Sequence, residues 1–222
     1  MRTLSELELD HLLEGAQTIE EDGYGLKVAR LRDGDFLKIY RRKRLLSSAL
    51  WALPAKLFAR NAQRLQALGI CAPHISELLL IPQRKLNAVR YQPLPGETLR
   101  QRWRDLGAEA RAQDVQRFGK FLGELHEQGV YFRSLHLGNV LALPDGSFGL
   151  IDLSDMQIGK GPLSNWKRQR NLQHMLRYAE DRSWLAELHR DALLAGYCQR
   201  CGNSAGTQLG NALRRLLARA SQ

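Results

Sequence analysis

The chain has 222 residues, 44% of them hydrophobic and 25% charged, and a mean hydropathy of −0.38; this describes a globular chain with room for one domain or two small packed lobes and excludes a disordered polymer. A net charge of +10 and an isoelectric point near 9.9 favour anionic partners such as phosphate esters, nucleic acid or an anionic membrane face, without choosing among them. Three cysteines are too few and odd in number for a disulfide framework, and acids interrupt the leucines of the N-terminal MRTLSELELDHLLEGAQ, so that segment reads as neither a signal peptide nor a membrane span and the protein as cytoplasmic.

The first elements in chain order are two short mixed runs, Tyr24 to Leu31 and Asp35 to Arg41, separated by Asp33-Gly34, the pattern of a β-hairpin. The second run overlaps the basic stretch KIYRRKR, Lys38 to Arg44, and a helix-like stretch follows. From Ala55 to Leu68 alanine, leucine and phenylalanine recur every three or four residues and Gly69 stands at the stop, which predicts a helix and a turn. ISELLLIP and LNAVRYQPL then predict two strands that extend the same sheet. Pro93, Pro95 and Gly96 break the pattern.

Beyond that break nearly everything reads as helix except Val130 to Ile158. The segment Gln113 to Gln128 places Val115, Phe118, Phe121, Leu122 and Leu125 on one face, a stripe that buries against neighbours, and Gly129 ends it. Strands first and helices later argue for an α+β fold rather than alternating α/β, with a first lobe over residues 1–92, a hinge over 93–96 and a helical second lobe over 97–222. Cys198 and Cys201 form a C-x-x-C without a second pair or nearby histidines, and it follows a leucine-rich helical stretch rather than a strand, so it does not read as a zinc or redox site. His126 and His174 read as packed or surface histidines. Trp51, Trp103, Trp166 and Trp184 are scattered and do not form a stacking platform for single-stranded nucleic acid. A second basic run, NWKRQRN from Asn165 to Asn171, fits either a solvated charged face or a contact with phosphate or lipid, as does the first.

The chemistry concentrates in YFRSLHLGNVLALPDGSFGLIDLSD, Tyr131 to Asp155. The turn Pro144-Asp145-Gly146 folds Asn139-Val140-Leu141 back against Phe148 to Ile151 and so predicts Asn139 and Asp152 close together. An amide oxygen beside a carboxylate suits magnesium, which takes oxygen ligands and leaves its remaining positions to phosphates. The alternative for each residue is a cap or turn side chain.

This stretch resembles the catalytic loop and metal motif of the protein-kinase-like superfamily, H-x-D-L-x-x-x-N followed by D-F-G. Leu135 and Asn139 match it, Phe132, Arg133 and Ser134 stand where His-x-Asp would, and Asp152-Leu153-Ser154 replaces Asp-Phe-Gly. Within that superfamily the chain is most similar to the bacterial lipopolysaccharide core kinases, the Kdo and heptose kinase group also called toluene tolerance proteins. The features that carry the likeness are the Asp-Leu-x triplet, its continuation DMQIGKGPLSNWKRQRNLQHMLRY, and the earlier ALGICAP and YQPLPGETL. The resemblance spans about Gly23 to Tyr178. It implies a protein-kinase-like fold with a small β-rich N-lobe and a mainly helical C-lobe, binding ATP and magnesium between them. Lys38 would contact the nucleotide phosphates, Gly23 and Gly25 would form a reduced glycine flap, and Gln92 and Leu94 would offer backbone groups to adenine, a plain proline turn being the alternative for that hinge. Asn139 and Asp152 would hold magnesium. The implied acceptor is a sugar of lipid-linked lipopolysaccharide core or another small molecule, met at the anionic inner membrane.

Two departures bear on activity. Ser134 occupies the position of the catalytic aspartate, and the helix Ala55 to Leu68 contains Asn61, Gln63 and Gln66 but no acid to pair with Lys38, unless Asp152 takes that part. General-base assistance is worth about 10² to 10⁴ in rate, while phosphoryl transfer depends chiefly on positioning and charge neutralisation. The expectation is a slow enzyme or an inactive nucleotide binder. His136 and Asp155 are the substitutes at hand for the base, His136 reading rather as a support for the loop backbone. Three functions follow: a degenerate lipopolysaccharide sugar kinase; a pseudokinase scaffold; and a relative of the small atypical kinases of tRNA-modification complexes, the reading in which nucleic acid would be a partner.

Overall fold

The computed structural model describes residues 1–41 and 53–220. The chain divides into two compact units, Met1–Pro95 with Asp152–Asp155, and Gly96–Ile151 with Met156–Gln222. The end of the first basic run, Arg42 to Arg44, the helix-like stretch after it and Trp51 lie outside the described residues.

The first unit is built on a sheet of six strands, β1 (Arg2–Thr3), β2 (Gln17–Asp22), β3 (Gly25–Arg30), β4 (Phe36–Arg41), β5 (His74–Ile81) and β6 (Leu86–Gln92), in the order β1-β5-β6-β4-β3-β2. Among the described residues only β1 and β5 pair in parallel. The expected hairpin is β3–β4: Leu31 N–H donates to Asp35 O at 2.8 Å and Gly34, at φ 93°, closes the turn. The two later strands are β5 and β6. Helix α1 (Glu6–Leu12), with a Ser5–Glu8 capping box, closes one face, where Leu4 and Leu9 bury against Leu31, Leu37, Ile39, Leu79, Ile81 and Ala88.

The first 22 residues carry elements that the sequence pattern did not predict. Helix α1 has 7 residues, too few for a helical period to stand out. Strand β2, QTIEED, is exposed at every position, so no alternation of apolar and polar residues marks it.

Strand β4 has the consequence that matters. Successive side chains point to opposite faces, so Leu37 and Ile39 face the α1 side and Lys38 the other, paired across the sheet with Val28 and Val89. That second face is covered by α2 (Pro54–Ala67), which begins at proline, suited to a first helical turn, and buries Ala55, Phe58, Ala59, Ala62 and Leu65. Phe58 packs on Tyr91 with ring centroids 5.2 Å apart, and Asn87 Oδ1 accepts from Ala55 N–H at 3.0 Å, fixing the helix start to β6.

The second unit contains β7 (Glu97–Thr98), α3 (Leu99–Asp105), α4 (Ala108–Glu127), β8 (Val130–Phe132), β9 (Val140–Ala142), β10 (Phe148–Leu150), β11 (Met156–Ile158), α5 (Asn165–Met175), α6 (Ala179–Arg182) and α7 (Arg190–Ala220), the last kinked at Gly202, whose φ is 81°. Helices dominate apart from β7 and the strands between Val130 and Ile158, and the molecule is α+β, as its sequence predicts. The stripe on α4 is buried throughout. Trp103 stacks edge-on against Phe118 and Trp184 and its Nε1 donates to buried Asp114 at 2.9 Å. Strands β10-β9-β7 form one small sheet and β11-β8 another. Of the tryptophans, Trp103 and Trp184 are core residues, whereas Trp166 is 65% exposed. Cys71, Cys198 and Cys201 are free thiols.

Helices α4 and α7 approach closely because each supplies a glycine at the crossing. A Cβ on Gly196 would lie 1.8 Å from Gln116 O, and one on Gly119 would lie 2.2 Å from Leu193 O. Both obstacles are backbone, which cannot swing aside. Gly196→Ala is expected to cost about 1–3 kcal/mol, the range for overpacking, and to lower the unfolding midpoint by roughly 2–4 °C per kcal/mol. Gly161→Ala, whose Cβ meets nothing within 4 Å, should leave the midpoint unchanged; equal midpoints for both variants would refute the crossing argument.

His126 is fully buried and its Nδ1 lies 2.9 Å from Tyr197 Oη, which in turn accepts from Arg168 at 2.7 Å. Burial, and then the Arg168 charge, lower its pKa from 6.5 to about 3. The unfolded chain therefore takes up this proton first as pH falls. Stability is present in full above pH 6.5 and is lost towards pH 3, at about 1.4 kcal/mol per unit from this group. Urea unfolding between pH 6 and pH 4 should show that slope, and a His126→Gln variant should lose it even though it starts less stable.

Candidate functional site

In the first unit, β4 delivers Lys38 into a nearly closed environment, 9% exposed, where Nζ donates to Asp152 Oδ1 at 2.6 Å. The ion-pair partner missing from α2 is thus supplied by Asp152. The Asp152 backbone sits at φ 58°, a left-handed conformation that aspartate tolerates better than most residues and that gathers at functional sites. The segment after it is anchored from α2: Leu153 is buried, and Asn61 Nδ2 donates to Leu153 O at 2.7 Å. Lys38 Nζ lies 5.9 Å from the centre of the Tyr40 ring. Burial, and next the charge of Asp152, push the Tyr40 phenol well above its ordinary pKa. It stays neutral beside the pair.

Gly23 and Gly25 flank the tip of the β2–β3 hairpin, where Gly25 has φ 102° and Tyr24 N–H donates to Asp22 Oδ1 at 2.9 Å. Gln92 is the exposed last residue of β6, paired with His74, and Leu94 is half-buried between two prolines.

In the second unit, Asn139 ends a 3-10 turn, Leu137–Asn139. Its Nδ2 donates to Ser134 O at 2.9 Å, which orients the amide and directs Oδ1 the other way. Its own carbonyl accepts from Ile151 N–H at 3.1 Å, so the β9–β10 hairpin, in register at Leu150 with Val140, fixes Asn139 against the residue that precedes Asp152. His136 Nδ1 accepts from Gly138 N–H at 3.1 Å and its ring lies 4.9 Å from that of Tyr178; it supports the loop backbone. Arg133 is exposed.

Two side chains that hold this loop carried no signal as site residues. Asp181, fully buried, accepts from Arg100 Nε and Nη2 at 2.8 and 2.9 Å and from Leu137 N–H at 2.9 Å. Asn171, also buried, donates to Phe132 O. Both are distant in sequence from the loop, and nothing local in EDRSWL or RQRNLQH announces a ligand for a backbone amide or carbonyl. Asn61 was more legible. It lies on the apolar face of α2 among Phe58, Ala62 and Leu65, where an amide must find a partner.

Among the described residues no group of three or more His, Cys, Asp or Glu side chains forms a metal cage. Magnesium does not require one, since it commonly takes one or two protein oxygens and completes its shell with phosphates and water. A carboxylate at Asp152 and an amide oxygen at Asn139 are donors of that hard-oxygen kind.

The model of the Lipopolysaccharide kinase (Kdo/WaaP) family matches residues 97–197. The matched segment contains Ser134, Asn139, Asp152 and Asp181; Lys38, Gly23, Gly25, Gln92 and Leu94 precede it. The chain is therefore similar to lipopolysaccharide kinases through the segment that carries the loop and Asp152. No curated protein matches the chain.

Removing Asp181 would leave the Arg100 charge and the Leu137 amide without their partner. Breaking a buried ion pair in this way costs about 3–5 kcal/mol. Asp181→Ala should lower the unfolding midpoint by roughly 6–20 °C at the scale of a chain this size, and a midpoint within about 2 °C of wild type would show that the network does not hold the loop.

Proposed function

We propose that the chain binds ATP with magnesium and transfers a phosphoryl group, slowly, to a sugar hydroxyl of lipopolysaccharide core. The observation that carries the reading is the Lys38–Asp152 pair at 2.6 Å, a phosphate-type lysine and a metal-type aspartate placed together although no acid on α2 is present to hold the lysine. The match to a lipopolysaccharide kinase family over residues 97–197 supports the reaction class and the kind of acceptor.

In this reading Lys38 binds phosphate oxygens, and Asp152 and Asn139 hold the magnesium ion. The metal–nucleotide supplies the phosphoryl group and offsets its charge. Before ligand arrives, the ion pair keeps Lys38 and Asp152 in place and spares the buried Lys38 charge from standing alone. Asn61 holds the Asp152 segment through Leu153 O, and Asn139 ties its amide to Ser134 O. The Ser134 hydroxyl is no base at neutral pH, but it can accept a hydrogen bond from the acceptor hydroxyl and orient it. Because the transition state is loose and needs little deprotonation of the nucleophile, turnover survives at a rate lowered by about 10² to 10⁴.

A second reading, a pseudokinase that binds partners without turnover, is favoured by the same two departures, Ser134 at the base position and the lack of any acid on α2.

Thermal unfolding with and without magnesium and ATP tests the nucleotide site. Ligand at 100 times its Kd stabilises by about 2.7 kcal/mol, a rise of roughly 5–10 °C for this chain; the rise should require metal and vanish in Asp152→Ala. No rise in wild type would sink the proposal. With purified core oligosaccharide, Ser134→Asp should raise phosphate incorporation by about 10² or more, whereas a nucleotide response without turnover in either protein would favour the scaffold.

A further inference from the structure

Helices α5 and α7 of the second unit leave an open groove lined by Trp166, Gln169, Arg170, Gln173, Arg215 and Leu216. Trp166 is 65% exposed, and Arg170, Arg215, Gln169 and Gln173 are exposed beside it. The two arginines differ from Arg168 of α5, which turns inward to Glu127 and Tyr197. Among the described residues neither Arg170 nor Arg215 pairs with a carboxylate, and Arg170 donates to Gln173 Oε1 at 2.8 Å. Sequence composition extends the asymmetry. From Met156 to Ala179 there is no acid against Lys160, Lys167, Arg168, Arg170 and Arg177, and after Asp191 there is none to the last residue against Arg200, Arg214, Arg215 and Arg219.

A merely solvated helix face usually interleaves both signs of charge and gains nothing from an exposed indole. A cationic face that also presents a tryptophan and a half-buried leucine has the chemistry of a membrane interface: the amphipathic ring sits at headgroup level and arginines meet lipid phosphates bidentately. Single-stranded nucleic acid fits less well, because its sites present several rings on which successive bases stack and this groove presents one. We propose that the α5–α7 groove docks on an anionic lipid bilayer, with Arg170 and Arg215 on headgroup phosphates and Trp166 at the interface. This surface is independent of the nucleotide site, since it is built from residues that take no part in phosphoryl transfer and is read out by binding alone.

The test uses the full chain with vesicles of phosphatidylcholine alone and of phosphatidylcholine mixed with phosphatidylglycerol. Sedimentation should show binding to the mixed vesicles, weakened by added salt, and little to the neutral ones. Each basic residue near an anionic surface contributes about fivefold in partitioning, so Arg170→Glu with Arg215→Glu should weaken binding at least about 25-fold. The corresponding double change to glutamine provides the same comparison if charge reversal impairs folding, and an unchanged unfolding midpoint certifies the variants. The tryptophan emission should shift to the blue on the mixed vesicles and become shielded from iodide, and Trp166→Phe should remove most of that response. Undiminished vesicle binding by the double variants would overturn the proposal. So would shielding of Trp166 by single-stranded RNA or by inorganic phosphate in place of anionic vesicles.

Discussion

Lys38 is a buried ammonium, and burial of an uncompensated charge costs several kcal/mol in practice. Strand β4 cannot avoid placing it there: the pleat that sends Leu37 and Ile39 into the α1-side core turns Lys38 to the opposite face, between Val28 and Val89. A carboxylate must come to that face, and Asp152 does, at 2.6 Å. Much of the local structure follows from this one requirement. Asp152 accepts a left-handed backbone, Leu153 is buried, and α2 receives the segment through Asn61. The four residues Asp152–Asp155 consequently group with the first unit although β10 and β11, on either side of them in the chain, belong to the second.

Holding the catalytic-type loop in the second unit is a backbone problem. The loop between β8 and β9 has few regular partners for its amides and carbonyls, and unpaired buried backbone groups are costly. Asp181 takes Leu137 N–H, Asn171 takes Phe132 O, Asn139 takes Ser134 O, and His136 takes Gly138 N–H. Arg100 neutralises Asp181 bidentately, which keeps a fully buried carboxylate tolerable. The loop is thus held in part by side chains on α3, α5 and α6.

The two substitutions that weaken the kinase reading are physically unlike. Helix α2 offers the lysine no acid and instead hydrogen-bonds the backbone after Asp152 through Asn61, and the charge balance is restored by Asp152 itself. Ser134 has no such compensation, because a hydroxyl cannot take a proton at neutral pH. On the proposed function the first change is structural and absorbed, and the second acts on rate. On that reading a chain with an assembled charge pair and a missing base is better suited to slow transfer than to none, since phosphoryl transfer draws most of its acceleration from placement and neutralisation.

Periodicity and turn chemistry determined the hairpin at Asp33-Gly34, α2 with its stop at Gly69, strands β5 and β6, the buried stripe of α4 and the β9–β10 hairpin around Pro144-Asp145-Gly146, because each is a local preference repeated over enough residues to be read. The motif spacing also singled out Lys38, Asn139 and Asp152. It could not reveal α1 or β2, one too short and the other exposed on both faces, nor that Trp166 stands in solvent while Trp103 and Trp184 are core. Above all it left open what meets Lys38 and what holds the loop. Those were decided by tertiary structure, because Asp152 lies 114 residues from Lys38, Asp181 lies 44 from Leu137, and Leu153 lies 92 from Asn61; the need for a partner is written locally in a buried charge or amide, but its identity is set by which distant segment the packing brings within hydrogen-bond reach.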